Sequence, residues 1–335
     1  MVSRRAVLRE FEEYGLSIDQ IVDRYWNWVS KDTYMILKRE KRQKIRIRDS
    51  RNNKPLIVDF PVKVDFFGVL CSKRGNPVYR HRVYQRFKEF ISLAEKTFFF
   101  NPKDRGKPKK TRALFLTLTY DTKLCSFDVA WRNISYEFNR FMAYLRKKFG
   151  KVSCVRVFEA YENGYPHVHC VLLFEEKEFK VFRDNKGRFR IKEKGVIAAG
   201  WRSHTDAQAM SSLGWGFRYL KKYLLKSIDA ENKDSKTLKT LALGWLFNKR
   251  AFSISGKFKQ KLNDLIKTKH NSNHKKQQIT LEGEPIHFFI FIFVGIVPSS
   301  VIKLTKHQQQ ARFIELKKEQ IKYSYTFIEE KTKKY

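Results

Sequence analysis

Glu159-Ala160-Tyr161-Glu162-Asn163-Gly164-Tyr165-Pro166-His167-Val168-His169 is the stretch on which the reading of this chain turns. Asn163-Gly164 is a strong hairpin signal, and it sits between two runs of strand character, Val152 to Tyr161 and His167 to Phe174. The two runs are therefore expected to be antiparallel neighbours. Alternation along the second sends His167 and His169 to one face and Val168 and Cys170 to the other. Two imidazoles on one face can share a divalent ion. Glu159, across the hairpin, is placed to add a carboxylate oxygen, which leaves positions open for water and phosphate. Glu162, in the turn itself, is the alternative third ligand. A His-x-His pair on a strand is a common accident; Glu159, Pro166 just before His167 and the apolar run after His169 are what give this one weight.

About fifty residues on lies Tyr219-Leu-Lys-Lys222-Tyr223-Leu-Leu-Lys226. At 3.6 residues per turn, Tyr219, Lys222, Tyr223 and Lys226 fall within roughly a 100° sector, with Leu220, Leu224 and Ile228 turned towards a core. A phenol ionises only near pH ~10, so as a nucleophile it needs a neighbouring cation or a base. Each tyrosine has a lysine three residues on, able to touch the phenol or a phosphate. Without the histidine pair this stripe would be an ordinary basic surface helix.

Working outward, Arg112 to Tyr120 is an apolar run with Thr117 and Thr119 interleaved, the mark of a buried strand. Residues 127 to 148 repeat Phe127, Trp131, Ile134, Phe138, Phe141 and Leu145 at helical steps. Glu175 to Lys194 alternates charges around Gly187 and is expected to be an exposed excursion. Trp201 to Met210 is expected as a short strand, and Gly214 and Gly216 as residues preceding the tyrosine helix. The class that results is α+β, a central antiparallel sheet with flanking helices.

The chain of 335 residues carries 70 Lys+Arg against 34 Asp+Glu, a formal net charge of +36, far more than solubility requires. A polyanionic partner is the simplest account, with nucleic acid the default and an anionic membrane surface the competitor. The 29 Phe and 15 Tyr supply core material first and stacking surfaces for unpaired bases second. Cys71, Cys125, Cys154 and Cys170 show no Cys-x-x-Cys spacing, so neither a zinc ribbon nor a disulfide framework is indicated, and a reducing cytoplasm fits best. Met1 to Tyr14 is charged and lacks the apolar core of a secretion signal.

Leu16 to Ile36 has helical spacing with an aromatic face, Ser17 as N-cap and Gln20 three residues on. The run Lys38 to Arg51 follows, in which Arg42, Lys44, Arg46 and Arg48 are candidate phosphate contacts or else a solvated face. Leu56 to Leu70 is expected as one or two strands and Tyr84 to Phe100 as a helix. Asn101 to Lys110, with two Pro, one Gly and five basic residues, suits a domain boundary or a DNA-contacting loop in which Lys109 and Lys110 take part. Lys267 to Gln278 is linker-like. Phe288 to Val297 is apolar but too short to span a bilayer as a helix, so a buried strand pair or a partner interface is expected and stable membrane insertion is not. Lys306 to Tyr323 looks helical. These shifts in composition suggest a basic N-terminal region over 1–110, a core domain over 111–262 and a small C-terminal extension over 263–335.

Three of these stretches together resemble a known superfamily. Leu114-Phe-Leu-Thr-Leu-Thr-Tyr120, Pro166-His-Val-His-Cys-Val-Leu-Leu-Phe174 and Tyr219-Leu-Lys-Lys-Tyr-Leu-Leu-Lys226 are similar, in order, to the three motifs of HUH endonucleases. The paired tyrosines resemble those of rolling-circle replication initiators of phages, plasmids and archaeal mobile elements. The resemblance covers residues 111 to about 255 and implies an RRM-like fold for that part. It further implies Mg²⁺ or Mn²⁺ held by His167, His169 and Glu159, with Tyr219 or Tyr223 attacking single-stranded origin DNA in the host cytoplasm. A 5′-phosphotyrosine and a free 3′-OH for a host polymerase would result, and the second tyrosine would take over at termination. No Gly-x-x-x-x-Gly-Lys-Ser/Thr is present, so a helicase would be a partner. A conjugative relaxase or single-strand transposase would use the same residues, and a non-catalytic DNA-binding protein would keep the fold alone.

Overall fold

The computed structural model describes residues 3–48, 55–94, 97–104, 107–201, 203–232, 234–260, 286–302, 308 and 311–316. The chain forms two compact units, Met1–Val29 with Lys73–His270, and Ser30–Ser72 with Asn271–Tyr335. These do not coincide with the boundaries that composition suggests near 110 and 262. The class is α+β, as expected, with antiparallel pairing throughout the described sheets.

The first unit is built on a five-stranded sheet. Its strands are β4 (Ala113–Thr119), β5 (Val152–Ala160), β6 (Pro166–Phe174), β9 (Thr205–Ala209) and β10 (Phe252–Ser255), in the order β10-β5-β6-β4-β9. β4 lies between two neighbours and is covered on both faces, which is why its sequence is apolar almost without interruption. Leu114, Leu116, Leu118, Val168, Cys170 and Leu172 face one core, under α4 (Phe127–Phe149). The alternate residues Ala113, Phe115, Val155, Val157 and Val171 face a second core, under α6 (Leu213–Lys226) and α3 (Pro77–Ala94). Period-two alternation carries that second face on to Thr117, Glu159, His167 and His169.

The hairpin between β5 and β6 pairs Glu159 with His167 and Ala160 with Pro166. Its turn closes with Tyr161 N–H donating to the Tyr165 carbonyl, and Gly164 takes φ of 82°, a left-handed conformation that favours glycine. The Gly164 carbonyl accepts from the buried Trp131 Nε1 at 2.7 Å, so α4 holds the turn from behind.

Gly214 and Gly216 lie inside α6 rather than before it, with Ser212 as the N-cap. A Cβ on Gly216 would collide with Met210 Cε and come within 3.3 Å of Val171 Cγ2, so the glycine lets the helix backbone approach β6 closely. That approach sets Tyr219 and Tyr223 down on the sheet. The helix expected over Leu16 to Ile36 is α2 (Ile18–Val29), opened by Ser17 and Gln20 in a reciprocal capping box. Tyr84 to Phe100 likewise resolves into α3, which starts at Pro77 and ends at Ala94.

Glu175 to Lys194 is not a loose excursion. β7 (Phe179–Arg183) and β8 (Phe189–Ile191) form a hairpin that joins β3 (Lys109–Thr111) in a three-stranded sheet, with Phe179 and Ile191 buried in the first core. Asp184 anchors it, accepting from the backbone of Arg188 at 2.8 Å and from Arg190 Nε at 2.9 Å, while Arg190 also reaches Asp206 on β9 at 2.6 Å. Asn101 to Lys110 thus ends in a strand of this sheet, and the chain continues within the same unit.

The second unit is a four-stranded sheet of β11 (Ile286–Pro298), β1 (Thr33–Arg48), β2 (Pro55–Leu70) and β12 (Phe313–Leu316), in the order β11-β1-β2-β12. Its core is small and lies at one end, around Tyr34, Ile36, Val297, Ile302, Ile314 and Leu316. Phe288 to Val297 forms one edge strand, paired with β1 among the described residues, and Phe289, Phe291, Phe293 and Ile296 are exposed rather than buried. Phe313–Leu316 is a strand where Lys306 to Tyr323 suggested a helix; the rest of that stretch, apart from 308, 311 and 312, and the linker-like Lys267 to Gln278 lie outside the described residues.

Burial opposes ionisation of Asp184, but the Arg188 and Lys186 backbone N–H groups and the Arg190 and Arg188 side chains outweigh it and hold the carboxyl well below its usual range. A depressed carboxylate contributes stability above its unfolded pKa and loses it as pH falls. The gap in urea midpoint between wild type and Asp184→Asn is therefore expected to narrow as pH drops below ~4. A gap that stays constant from neutral pH down to acid would contradict this anchoring.

Candidate functional site

β5 and β6 present Glu159, His167 and His169 on the face under α6, as alternation predicts, but their contacts are more specific than the spacing conveys. Glu159 is the register partner of His167, yet its carboxylate turns diagonally and Oε2 lies 2.9 Å from His169 Nε2. The other oxygen accepts from Lys226 Nζ at 2.8 Å, with Lys236 Nζ of α7 (Ser235–Leu246) 3.9 Å away. Glu159 and His169 are both 4 % exposed. Burial alone would raise the Glu159 pKa, but the His169 and Lys226 hydrogen bonds reverse this and bring it down to about 2. Burial and the neighbouring His169 lower His167 to about 4, and burial lowers His169 despite the pull of Glu159.

Both imidazoles are thus neutral, facing an ionised carboxylate. The neutral tautomer that satisfies all partners has His169 Nε2–H donating to Glu159 and Nδ1 accepting from Thr117 Oγ1, which stands 3.2 Å away in direct register. His167 instead stacks on Tyr161, with ring centroids 4.8 Å apart.

From above, α6 lowers its two tyrosines onto this set. The Tyr223 ring lies flat on His169, centroids 3.6 Å apart and planes 16° from parallel, and its hydroxyl donates to Tyr219 Oη at 3.2 Å. Burial first, and then the bond to Tyr219, raises the Tyr223 pKa and keeps its phenol protonated. Tyr219 packs edge-on against Phe115 and face-on against Trp215, at 4.8 and 5.4 Å. Leu220 and Leu224 are fully buried on the other side of the helix.

Of the residues singled out from sequence, Glu159, His167, His169, Tyr219, Tyr223 and Lys226 come together here. Lys222 is exposed on α6, and Glu162 is exposed in the turn. Arg42 and Lys44 lie on β1 in the other unit, where Arg42 pairs with Glu40 and Asp59 at 2.7 Å and Lys44 stands 4.0 Å from Asp59. Arg46 and Arg48 are on the same strand, and their side chains lie outside the described residues. Lys109 donates to the Asp104 carbonyl, and Lys110 stands 3.9 Å from Glu178. Thr117, Tyr161, Trp215 and Lys236 are additions. Thr117 could be found from the β4 pattern once its register with His169 was known, whereas nothing local to Lys236 signals its place.

The donor set has the chemistry a divalent ion needs, two neutral imidazoles and an ionised carboxylate. Here these side chains are closed on one another, and among the described residues no group of three or more His, Cys, Asp or Glu is arranged to hold a metal. An ion at His169 Nε2 would have to take the place of its bond to Glu159. Among the described residues no helix is long and apolar enough to cross a membrane.

Lys226 and Glu159 are expected to couple. In a double-mutant cycle of Lys226→Met and Glu159→Gln read by urea denaturation, the interaction term should fall at about 0.5–3 kcal/mol. A term near zero would mean that the carboxylate is held by His169 alone.

No curated protein and no solved structure matches the chain. Residues 113–228, from the start of β4 to just past the tyrosine helix, match a family model of replication-associated proteins of the ORF2 type, and over this stretch the chain carries a domain of that replication-associated family.

Proposed function

We propose that this protein is an HUH-type nickase and strand transferase that opens single-stranded origin DNA through a phosphotyrosine and so starts rolling-circle replication of a plasmid or virus. The observation that carries the reading is the stacking of Tyr223 on His169, hydrogen-bonded onward to Tyr219, within a stretch that matches a replication-associated family. Two phenols one helical turn apart, set against a His-x-His strand, suit consecutive transfers of one DNA strand.

In the proposed reaction Tyr219 acts first. Its oxygen already accepts a hydrogen bond from Tyr223, which favours negative charge there, whereas Tyr223 is held protonated. The Tyr219 oxygen forms a bond to phosphorus as the bond from phosphorus to the 3′ oxygen breaks. The phenol proton is released, and the departing 3′ oxygen takes up a proton to leave as a hydroxyl. Lys222, exposed on the same helix, is placed to meet a phosphate, and Lys226 keeps Glu159 ionised. His167, His169 and Glu159 would hold Mg²⁺ or Mn²⁺, and such an ion supplies positive charge to the phosphate oxygens when bound. A host polymerase would extend the 3′-OH, and a host helicase would unwind the duplex.

A relaxase or single-strand transposase would run the same chemistry on a transfer origin or a transposon end. The closed contact between Glu159 and His169 favours a second reading, a DNA-binding protein without catalysis.

The test incubates the full chain with 5′- and 3′-labelled single strands tiling its own replicon, in Mn²⁺ or EDTA, followed by a denaturing protein gel. The expected result is downstream label migrating with the protein in Mn²⁺ only, and its loss in the Tyr219→Phe, Tyr223→Phe double variant. Cleavage without attached label would replace the tyrosine mechanism with hydrolysis, and tight binding without cleavage would favour the binding protein.

A further inference from the structure

Six rings form an unbroken row across the site: Trp215, Tyr219, Tyr223, His169, His167 and Tyr161. Successive centroids are 5.4, 5.6, 3.6, 6.4 and 4.8 Å apart. The inner four are the proposed nucleophiles and the histidine pair. The outer two have no part in that chemistry, and both are exposed, Trp215 at 38 % and Tyr161 at 45 %. Each lies nearly parallel to the functional ring beside it, Trp215 at 7° to Tyr219 and Tyr161 at 12° to His167. Lys236 Nζ stands 5.0 Å from the centre of the Tyr161 ring, which adds a cation at that end.

A single exposed aromatic residue is unremarkable on a protein surface. Two of them at opposite ends of one row, each held flat by a side chain of the site, are a different matter. Their orientation is fixed before any ligand arrives, and a base stacked on a rigid ring gains its contact at little ordering cost. Stacking is tolerant of sequence, because every base has a π-face, so it grips an unpaired strand and not a closed duplex.

We propose that Trp215 and Tyr161 are stacking platforms for the unpaired bases on the two sides of the scissile phosphate, holding the strand across the tyrosine pair. This rests on the nickase reading for the identity of the phosphate, but the platforms themselves require only that a single strand crosses this face. They act as binding and positioning residues.

The test uses the full chain as the Tyr219→Phe, Tyr223→Phe variant, which keeps both rings and cannot attach covalently. The probe is a thymine-rich single strand with 5-iodouracil at successive positions, irradiated and mapped by peptide mass spectrometry. Crosslinks at Trp215 and Tyr161 from different positions of one strand are expected. Trp215→Ala and Tyr161→Ala should each weaken single-strand binding by about tenfold. Trp215→Phe should recover most of the loss, and affinity for the same sequence as duplex, set by phosphate contacts, should change little.

Crosslinks confined to other residues, with Trp215→Ala binding as the parent does, would overturn the proposal. Equal losses on single strand and duplex would also overturn it, since a merely structural role predicts that. Crosslinking at both rings in a protein that never cuts would leave the platforms standing and remove the nickase reading. Cutting by the wild type with no crosslink at either ring would do the reverse, and failure to bind any single strand would remove both.

Discussion

The ionised carboxylate of Glu159, almost wholly buried, is the constraint on which the site depends. A buried charge without partners is far more costly than the contacts around it can offset, so the fold must bring it donors. It brings them from separate elements: His169 on β6 and Lys226 on α6 at hydrogen-bond distance, with Lys236 on α7 close by. Satisfying one carboxylate therefore fixes the hairpin register, the axial position of α6 and the approach of α7 together. Gly216 lets α6 come close enough for this, and Thr117 fixes the far side of the imidazole. The stacked tyrosine is a consequence of that placement, because α6 has no room to lift Tyr223 off His169 while Lys226 stays on Glu159.

The parts of this arrangement legible in the sequence are those set by local periodicity. Alternation along residues 167–174 puts the two histidines on one face, and the helical stripe of 219–226 separates Tyr219 and Tyr223 from Leu220 and Leu224. The hairpin follows from Asn163 and Gly164. What stayed hidden depends on residues distant in sequence. The carboxylate opposite His167 bonds His169 because a diagonal neighbour across strands is within reach of a long side chain, and alternation cannot distinguish the two. Lys236 enters from a helix with no motif of its own. The charged stretch 175–194 carries only a few apolar residues, and Phe179 and Ile191 become core only once β3 supplies a third strand.

The basic run after α2 shows the same limit from the electrostatic side. Read alone, Lys38 to Arg48 is a cationic segment looking for an anion. In the sheet, Arg39 stands directly across from Asp65, and their side chains meet at 2.5 Å, while Arg42 is bridged by Glu40 and Asp59. The acids sit in the apolar run of β2, where a composition window dilutes them. Such cross-strand pairs supply register as much as energy, since a slip of one residue would place like charges opposite each other. The net charge of +36 still calls for a polyanion, but this strand's arginines are in part accounted for within the sheet.

The two tyrosines differ in a way that bears on how a strand could be handed over. Tyr223 donates to Tyr219, so charge is favoured on the Tyr219 oxygen and disfavoured on its own, where burial against His169 acts in the same direction. Once the Tyr219 oxygen is esterified, it is a much weaker acceptor, and the hydrogen bond that held Tyr223 protonated loses its hold. The second phenol then becomes the better nucleophile because the first has reacted. An intrinsic order of this kind needs no movement of α6, which the Lys226 to Glu159 contact would resist, and it requires only that the DNA present two phosphates in turn to the same end of the helix.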